Sequence, residues 1–229
     1  MRRCRRAKDS KSGRHKRQTV PNVRLKIVQA GEEVLRQRAR ALTRDEVLSP
    51  GIQQLIEHMR DTMRDAPGVG LAAPQVGESL QLAVIEDRAE YQREFTPEQL
   101  AERGRKPIPF HVLVNPKLTI DDYRNENNDN TGNISNTFFE GCLSVSGYTA
   151  LVNRSNAVTV ECLNGHGEAV TIRASGWYAR ILQHEIDHLN GILYVDRMQP
   201  RTLTTLENAR RIWKDTPVTE VQARLSAKS

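Results

Sequence analysis

The 229-residue sequence predicts an α+β fold, with antiparallel strands around a central helix that carries His184-Glu185-Ile186-Asp187-His188, in a single domain. Two strand-length runs, Ala157–Leu163 and Glu168–Ala174, flank Asn164-Gly165-His166-Gly167, a strong hairpin signal. Two stretches carry helical periodicity instead: the one following Ser49, and the one following Ser175-Gly176. No repeat and no obvious second core accompanies them.

Taken in order, Leu25-Lys26-Ile27-Val28 reads as a short strand or extended segment, and Gly31–Leu35 as a brief helix or loop. Ser49 suits an N-cap and Pro50 the first helical position. Ile52, Leu55, Ile56, Met59 and Met63 then follow at helical spacing until Pro67-Gly68. Gly68 to Gly77 is a glycine-punctuated stretch. Its third glycine is misplaced for a dinucleotide fingerprint, and it follows a helix rather than a strand. It is either a structural turn or a backbone platform with the Gln75 amide aimed into a site.

Leu80–Ile85 and His111–Pro116 read as strands, with a short helix starting after Thr96 between them. Residues 121–137 are asparagine-rich and have almost nothing to bury, so they read as an insertion. Phe138 to Ser144 raises the apolar character sharply. The segment after Ser175 forms the central helix, closed by Asn190-Gly191 with Gly191 at the position after the C-cap. A small helix is expected from Thr204 to Trp213, and the last fifteen or so residues read as loose. The organisation expected is a basic tail over residues 1–22, a catalytic domain over 23–200 and a C-terminal extension over 201–229.

Composition narrows the class. With 38% hydrophobic and 27% charged residues the chain is globular in type, and no run of about eighteen apolar residues suggests a membrane span. The net charge of +6 belongs to the tail: residues 1–20 hold nine Lys/Arg against a single acid, which leaves the rest of the chain slightly acidic. No apolar h-region marks a secretory leader there. Three cysteines, Cys4, Cys142 and Cys162, have no regular spacing, which fits a reducing compartment better than a disulfide framework.

Chemistry concentrates in Gln183-His184-Glu185-Ile186-Asp187-His188-Leu189. Histidines four residues apart share a helix face and can reach one ion, while Glu185 stands beside the first ligand as a general base for a metal-bound water. A third ligand is not set by this pattern. Cys142 precedes His184 by 42 residues, and composition alone favours a buried inert cysteine there.

Three separated motifs together resemble the peptide deformylase family: Gly68 through Gln75 (G-x-G-L-A-A-x-Q), Glu140 through Ser144 (E-G-C-x-S) and Gln183 through Gly191 (Q-H-E-x-D-H-x-x-G). The resemblance spans roughly residues 25–200. It implies removal of formyl from the N-terminal methionine of nascent proteins, with metal-bound water as nucleophile and Glu185 as general acid/base. It further implies Cys142, His184 and His188 as metal ligands, Gln75 and the Leu143 N–H as oxyanion donors, and Val69, Gly70, Phe138, Gly141, Trp177 and Ile181 in the substrate pocket. The implied cofactor is one divalent ion, Fe2+ in cells with Zn2+, Ni2+ or Co2+ as substitutes. The implied partners are N-formylmethionyl nascent peptides and a transient ribosome contact, with no membrane and no specific DNA binding. The compartment would be the cytoplasm in a bacterium, or the mitochondrion or plastid in a eukaryote. Thr149 stands where many bacterial members have arginine and Asn153 where proline is common, while Ser146–Ala150 and Ala174–Trp177 look like the organellar-type branch.

Two other readings share the same helix. A metallopeptidase would want a third His or Glu ligand and a longer cleft. A structural zinc module would fill its fourth position with Cys162 or His166.

Overall fold

The computed structural model describes residues 23–121 and 135–226; the basic tail and most of the asparagine-rich stretch lie outside the described residues. Two antiparallel sheets enclose one helix. The larger sheet has the order β1-β2-β3-β6-β7, built from Gly70–Ala72, Leu82–Asp87, Ile108–Ile120, Ala157–Leu163 and Ala169–Ser175. The smaller contains β4 (Ser135–Cys142), β5 (Val145–Ser155) and β8 (Thr204–Thr205), in that order.

Strand alternation divides the core. On β2, Leu82 and Val84 turn to one face of the large sheet, where Ile56, Met59 and Met63 of helix α2 (Pro50–Asp65) complete a cluster. Ala83 and Ile85 turn to the other face and meet Ala179, Leu182, Ile186 and Leu189 of helix α4 (Gly176–Leu189). The sheet is therefore covered by α2 on one side and by α4 on the other, which explains why β2 reads as a continuous apolar run. Two of the shorter helices, α1 (Arg44–Leu48) and α3 (Pro97–Arg103), begin with capping boxes in which the Thr43 and Thr96 hydroxyls accept from the third backbone N–H.

Helix α4 ends as its sequence predicts. Gly191 adopts φ 73°, its N–H donates to the His188 carbonyl at 3.2 Å, and the Ile192 N–H reaches back to the Asp187 carbonyl at 2.9 Å. No side chain fits at this glycine, because a Cβ would lie 2.6 Å from the Arg36 carbonyl oxygen. The predicted hairpin is also present as β6 and β7, with the Asn164 carboxamide accepting from the His166 and Glu168 N–H groups across the turn.

Other elements depart from expectation. Leu25–Val28 is extended but joins no sheet; its Val28 N–H donates instead to the Gln75 carbonyl at 2.9 Å. The strand expected at His111–Pro116 runs on to Ile120, held by β6. Strand β5 runs through Ser146-Gly147-Tyr148-Thr149, a stretch for which no element is expected from the sequence. The expected helix from Thr204 begins only after β8, as α5 (Leu206–Asn208), and continues through a wider π-type turn at Ala209–Trp213. The expected loose end is instead largely a helix, α6 (Val218–Ser226), which buries Val221 completely and donates from Gln222 to Gln199.

Gly191→Ala should cost about 2–4 kcal/mol of unfolding free energy, from left-handed strain plus the collision with Arg36. Urea unfolding checks this; a loss under about 0.5 kcal/mol would mean that the helix end is not held as described.

Candidate metal centre and cleft

Helix α4 brings its two histidines to one face, and the end of β4 brings Cys142 to meet them. Cys142 Sγ and His184 Nε2 both approach His188 Nε2 at 3.2 Å. All three donor atoms lie within 4.8 Å of one another, and among the described residues they form the one His/Cys/Asp/Glu group so arranged. Donors around a tetrahedral ion at about 2.0–2.3 Å sit roughly 3.3–3.6 Å apart, so the spacing and the Cys/His/His chemistry fit one divalent metal. Cys162 and His166 are not in the group. Cys162 is buried in β6, where burial pushes its thiol up to about 11, and His166 lies exposed on the β6–β7 turn.

Behind the histidines lies a buried ionic network. Glu140, two residues before Cys142, accepts from His184 Nδ1 at 2.7 Å and from Arg154 Nη2 at 2.6 Å on one oxygen. Its other oxygen accepts from Arg180 Nη1 at 2.7 Å and Arg154 Nε at 3.2 Å. Arg154 passes the connection to Asp187, which Arg197 also grips through two bonds of 2.6 and 2.7 Å. Burial disfavours the charged Glu140, but His184 and Arg154 outweigh it and hold the carboxyl well below the usual range. An ionised carboxylate only accepts, so His184 Nδ1 carries the proton and Nε2 is left for a metal. Burial also lowers His188, which keeps it neutral as a ligand must be.

Glu185 faces the same space from the other side. Its Oε2 is buried and has no hydrogen-bond partner among the described residues. Burial pushes its carboxyl up to about 7, against the opposing pull of the neighbouring His184. The close approach of β1 requires Gly70, since a Cβ there would overlap the Glu185 carboxylate. Gln75 is nearly inaccessible. Its Oε1 accepts from the Ala72 N–H at 2.8 Å, which turns Nε2 toward Cys142 Sγ (3.4 Å) and Ser144 Oγ (3.3 Å).

These groups line a cavity of about 300 Å³. Its wall includes Val69, Gly70, Gly141, Leu143, Trp177 and Ile181, all expected at the site. Phe138 is placed differently. Phe139, Glu140, Gly141 and Cys142 line the cavity, while Phe138 sits edge-on to Trp177 and against the Arg103 and Arg180 guanidinium groups. Two further groups of residues went unanticipated. Arg154 and Arg180 secure Glu140, and the signal for Arg180 was a cation directly beside Ile181 on an otherwise apolar helix stretch. Tyr148 and Leu206 stand at the rim, and Leu206 gave no signal because it belongs to the segment read as an extension. His111 lies elsewhere, bonded to the Tyr178 hydroxyl at 2.9 Å.

The chain matches the family described as polypeptide deformylase over residues 24–203. It belongs to the polypeptide deformylase family. It is 45% identical over 196 residues to the tomato (Solanum lycopersicum) chloroplastic peptide deformylase 1A, which covers 86% of this chain and 66% of that protein. The chain thus spans just under two thirds of that plant relative. Identity to peptide deformylase 3 of Streptomyces avermitilis is 47%, over 82% of this chain and 78% of the relative. Among solved structures, the class I type b peptide deformylase of Acinetobacter baumannii with Met-Ala-Ser bound superposes with a TM-score of 0.64 at 32% identity, covering 77% of this chain and 99% of that one. Relatives include bacterial, chloroplastic and mitochondrial deformylases, and no helix among the described residues is long and apolar enough to cross a membrane.

Glu140→Gln leaves two buried arginines short of a charge partner and should destabilise the fold by about 3–5 kcal/mol. It should also weaken metal binding about 10–100-fold by loosening His184. Chelator competition separates the second effect from the first; unchanged metal affinity in the folded variant would show that Glu140 does not orient the ligand.

Proposed function

We propose that this deformylase removes the formyl group from the N-terminal formyl-methionine of newly made polypeptides and releases formate. The observation that carries the reading is the unpartnered, buried Glu185 oxygen, set against a Cys/His/His cluster inside one cavity. The relative bound to Met-Ala-Ser, a peptide that begins with methionine, supports it.

Cys142, His184 and His188 would hold the ion. When bound, a divalent metal there polarises the formyl oxygen and makes a water nucleophilic near neutral pH. Glu185 Oε2 takes the water proton and returns it to the departing amine. Gln75 Nε2, fixed by its bond from Ala72, donates to the oxyanion that develops on the formyl oxygen, joined by the Leu143 N–H. Val69, Trp177 and Ile181 pack the unbranched methionine side chain, whose burial is worth about 1.5–3 kcal/mol. The Gly70 and Gly141 backbones flank the peptide. We take Fe2+ as the ion used in cells, with Zn2+, Ni2+ or Co2+ able to substitute.

The same reading assigns the chain to the branch that includes the organellar enzymes. That assignment rests on the Ser146–Ala150 and Ala174–Trp177 stretches, since identity does not separate the branches: 47% to the Streptomyces avermitilis enzyme, 45% to the Solanum lycopersicum 1A protein and 41% to the human mitochondrial one. The substrate is presented by nascent chains at a transient ribosome contact, in the cytoplasm of a bacterium or the mitochondrion or plastid of a eukaryote. A domain spanning 23–200 performs the chemistry.

Glu185→Gln should keep the metal and lose about 10²–10⁴-fold in formate release from formyl-Met peptides, measured anaerobically on iron-loaded protein. Full activity with metal bound would remove Glu185 from the proton path. Gln75→Ala should cost about 10²–10³-fold in kcat; an unchanged kcat would remove Gln75 from the oxyanion site.

A further inference from the structure

We propose that Leu206, together with Tyr148, forms an apolar lip that receives the side chains following the formyl-methionine and favours substrates with apolar residues there. The inference rests on the deformylase reading above and deepens it.

Both residues line the cavity that contains Glu185, Gln75 and Cys142, yet both remain open to solvent: Tyr148 is 47% exposed and Leu206 42%. The reacting groups, by contrast, are buried or nearly so, with Gln75 1% and Glu185 3% exposed. A formyl-methionine seated at the buried end must send the rest of its chain out of the open side. That route passes the two large apolar groups left uncovered there, and a peptide side chain crossing it removes apolar surface from water on both partners.

The lip is built rather than loose. Thr205 pairs with Tyr148 and Thr204 with Thr149, so β8 fixes Leu206 directly beside the Tyr148 strand. The Thr205 hydroxyl then accepts from the Asn208 N–H at 3.2 Å and turns the chain into α5. Upstream, the buried Thr202 hydroxyl accepts from the Leu151 N–H at 2.9 Å. Downstream, α6 returns over this segment, with Val221 buried and Arg201 Nε donating to the Leu225 carbonyl at 2.8 Å. A side chain held in this way contacts a ligand without first being ordered by it. Leu206 also lies beyond residue 203, where the family match ends, so the lip joins a residue inside that match to one outside it.

The test compares kcat/KM of full-length, metal-loaded protein on formyl-Met-amide, formyl-Met-Leu-Leu and formyl-Met-Lys-Lys. Wild type should prefer Leu-Leu. In Leu206→Ala the ratio of Leu-Leu to formyl-Met-amide should fall about five-fold, as expected from losing roughly half a leucine's contact surface. Leu206→Asp should invert the order, raising Lys-Lys above Leu-Leu. Metal content and melting temperature of both variants establish that the fold is intact. If both folded variants keep the wild-type ratios, the lip does not read the substrate and the inference is overturned. If wild type releases no formate even from formyl-Met-amide, the deformylase reading falls and this inference with it.

Discussion

The Glu140 carboxylate is the contact on which the site depends. It is buried, its two oxygens accept four bonds, and its three partners come from two separate elements: Arg154 on β5, and Arg180 and His184 on α4. A charge removed from water in this way is tolerable only when every lone pair is used. The same four bonds lock α4 against the small sheet at the level of the metal. They also fix which nitrogen of His184 faces the ion. Electrostatic satisfaction of one side chain and orientation of one ligand are thus the same event, and neither can be relaxed alone.

The dependence runs outward in layers. Asp187 neutralises the far side of Arg154 and is itself held by Arg197, so the network reaches from the metal face of α4 to the surface. On the opposite wall the requirement is steric. Gly70 gives up its side chain to the Glu185 carboxylate, and Gln75 gives up one amide oxygen to the Ala72 backbone so that its nitrogen has a single direction left. The cavity is therefore framed by charge on one side and by backbone on the other.

Much of this was legible in the sequence where a local rule sufficed. His184 and His188 share a face because helices have a fixed period, and Gly191 closes that helix because a positive φ is needed there. The hairpin around Asn164 follows from its turn residues. What stayed hidden needs distance. Cys142 reaches the histidines only through the pairing of β4 with β5, and composition alone favoured an inert core cysteine; the family resemblance, not the pattern, pointed to it as a ligand. Phe138 and Phe139 are adjacent identical residues, and nothing local in the sequence distinguishes the one that lines the cavity. The packing of α6 was missed because Val221 is a lone fully buried residue on a mostly polar segment, too little periodicity to read.

Strands β3 and β4 are consecutive in the chain but belong to different sheets, and each is registered by its own partner: Ile120 by Val158 and Ser135 by Ser155. The connection between them therefore sets no register. Each doubling of such a connection adds only about 0.6 kcal/mol of closure entropy. Cys142, seven residues after Ser135, therefore takes its address from β5 and not from the distance along the chain to Ile120.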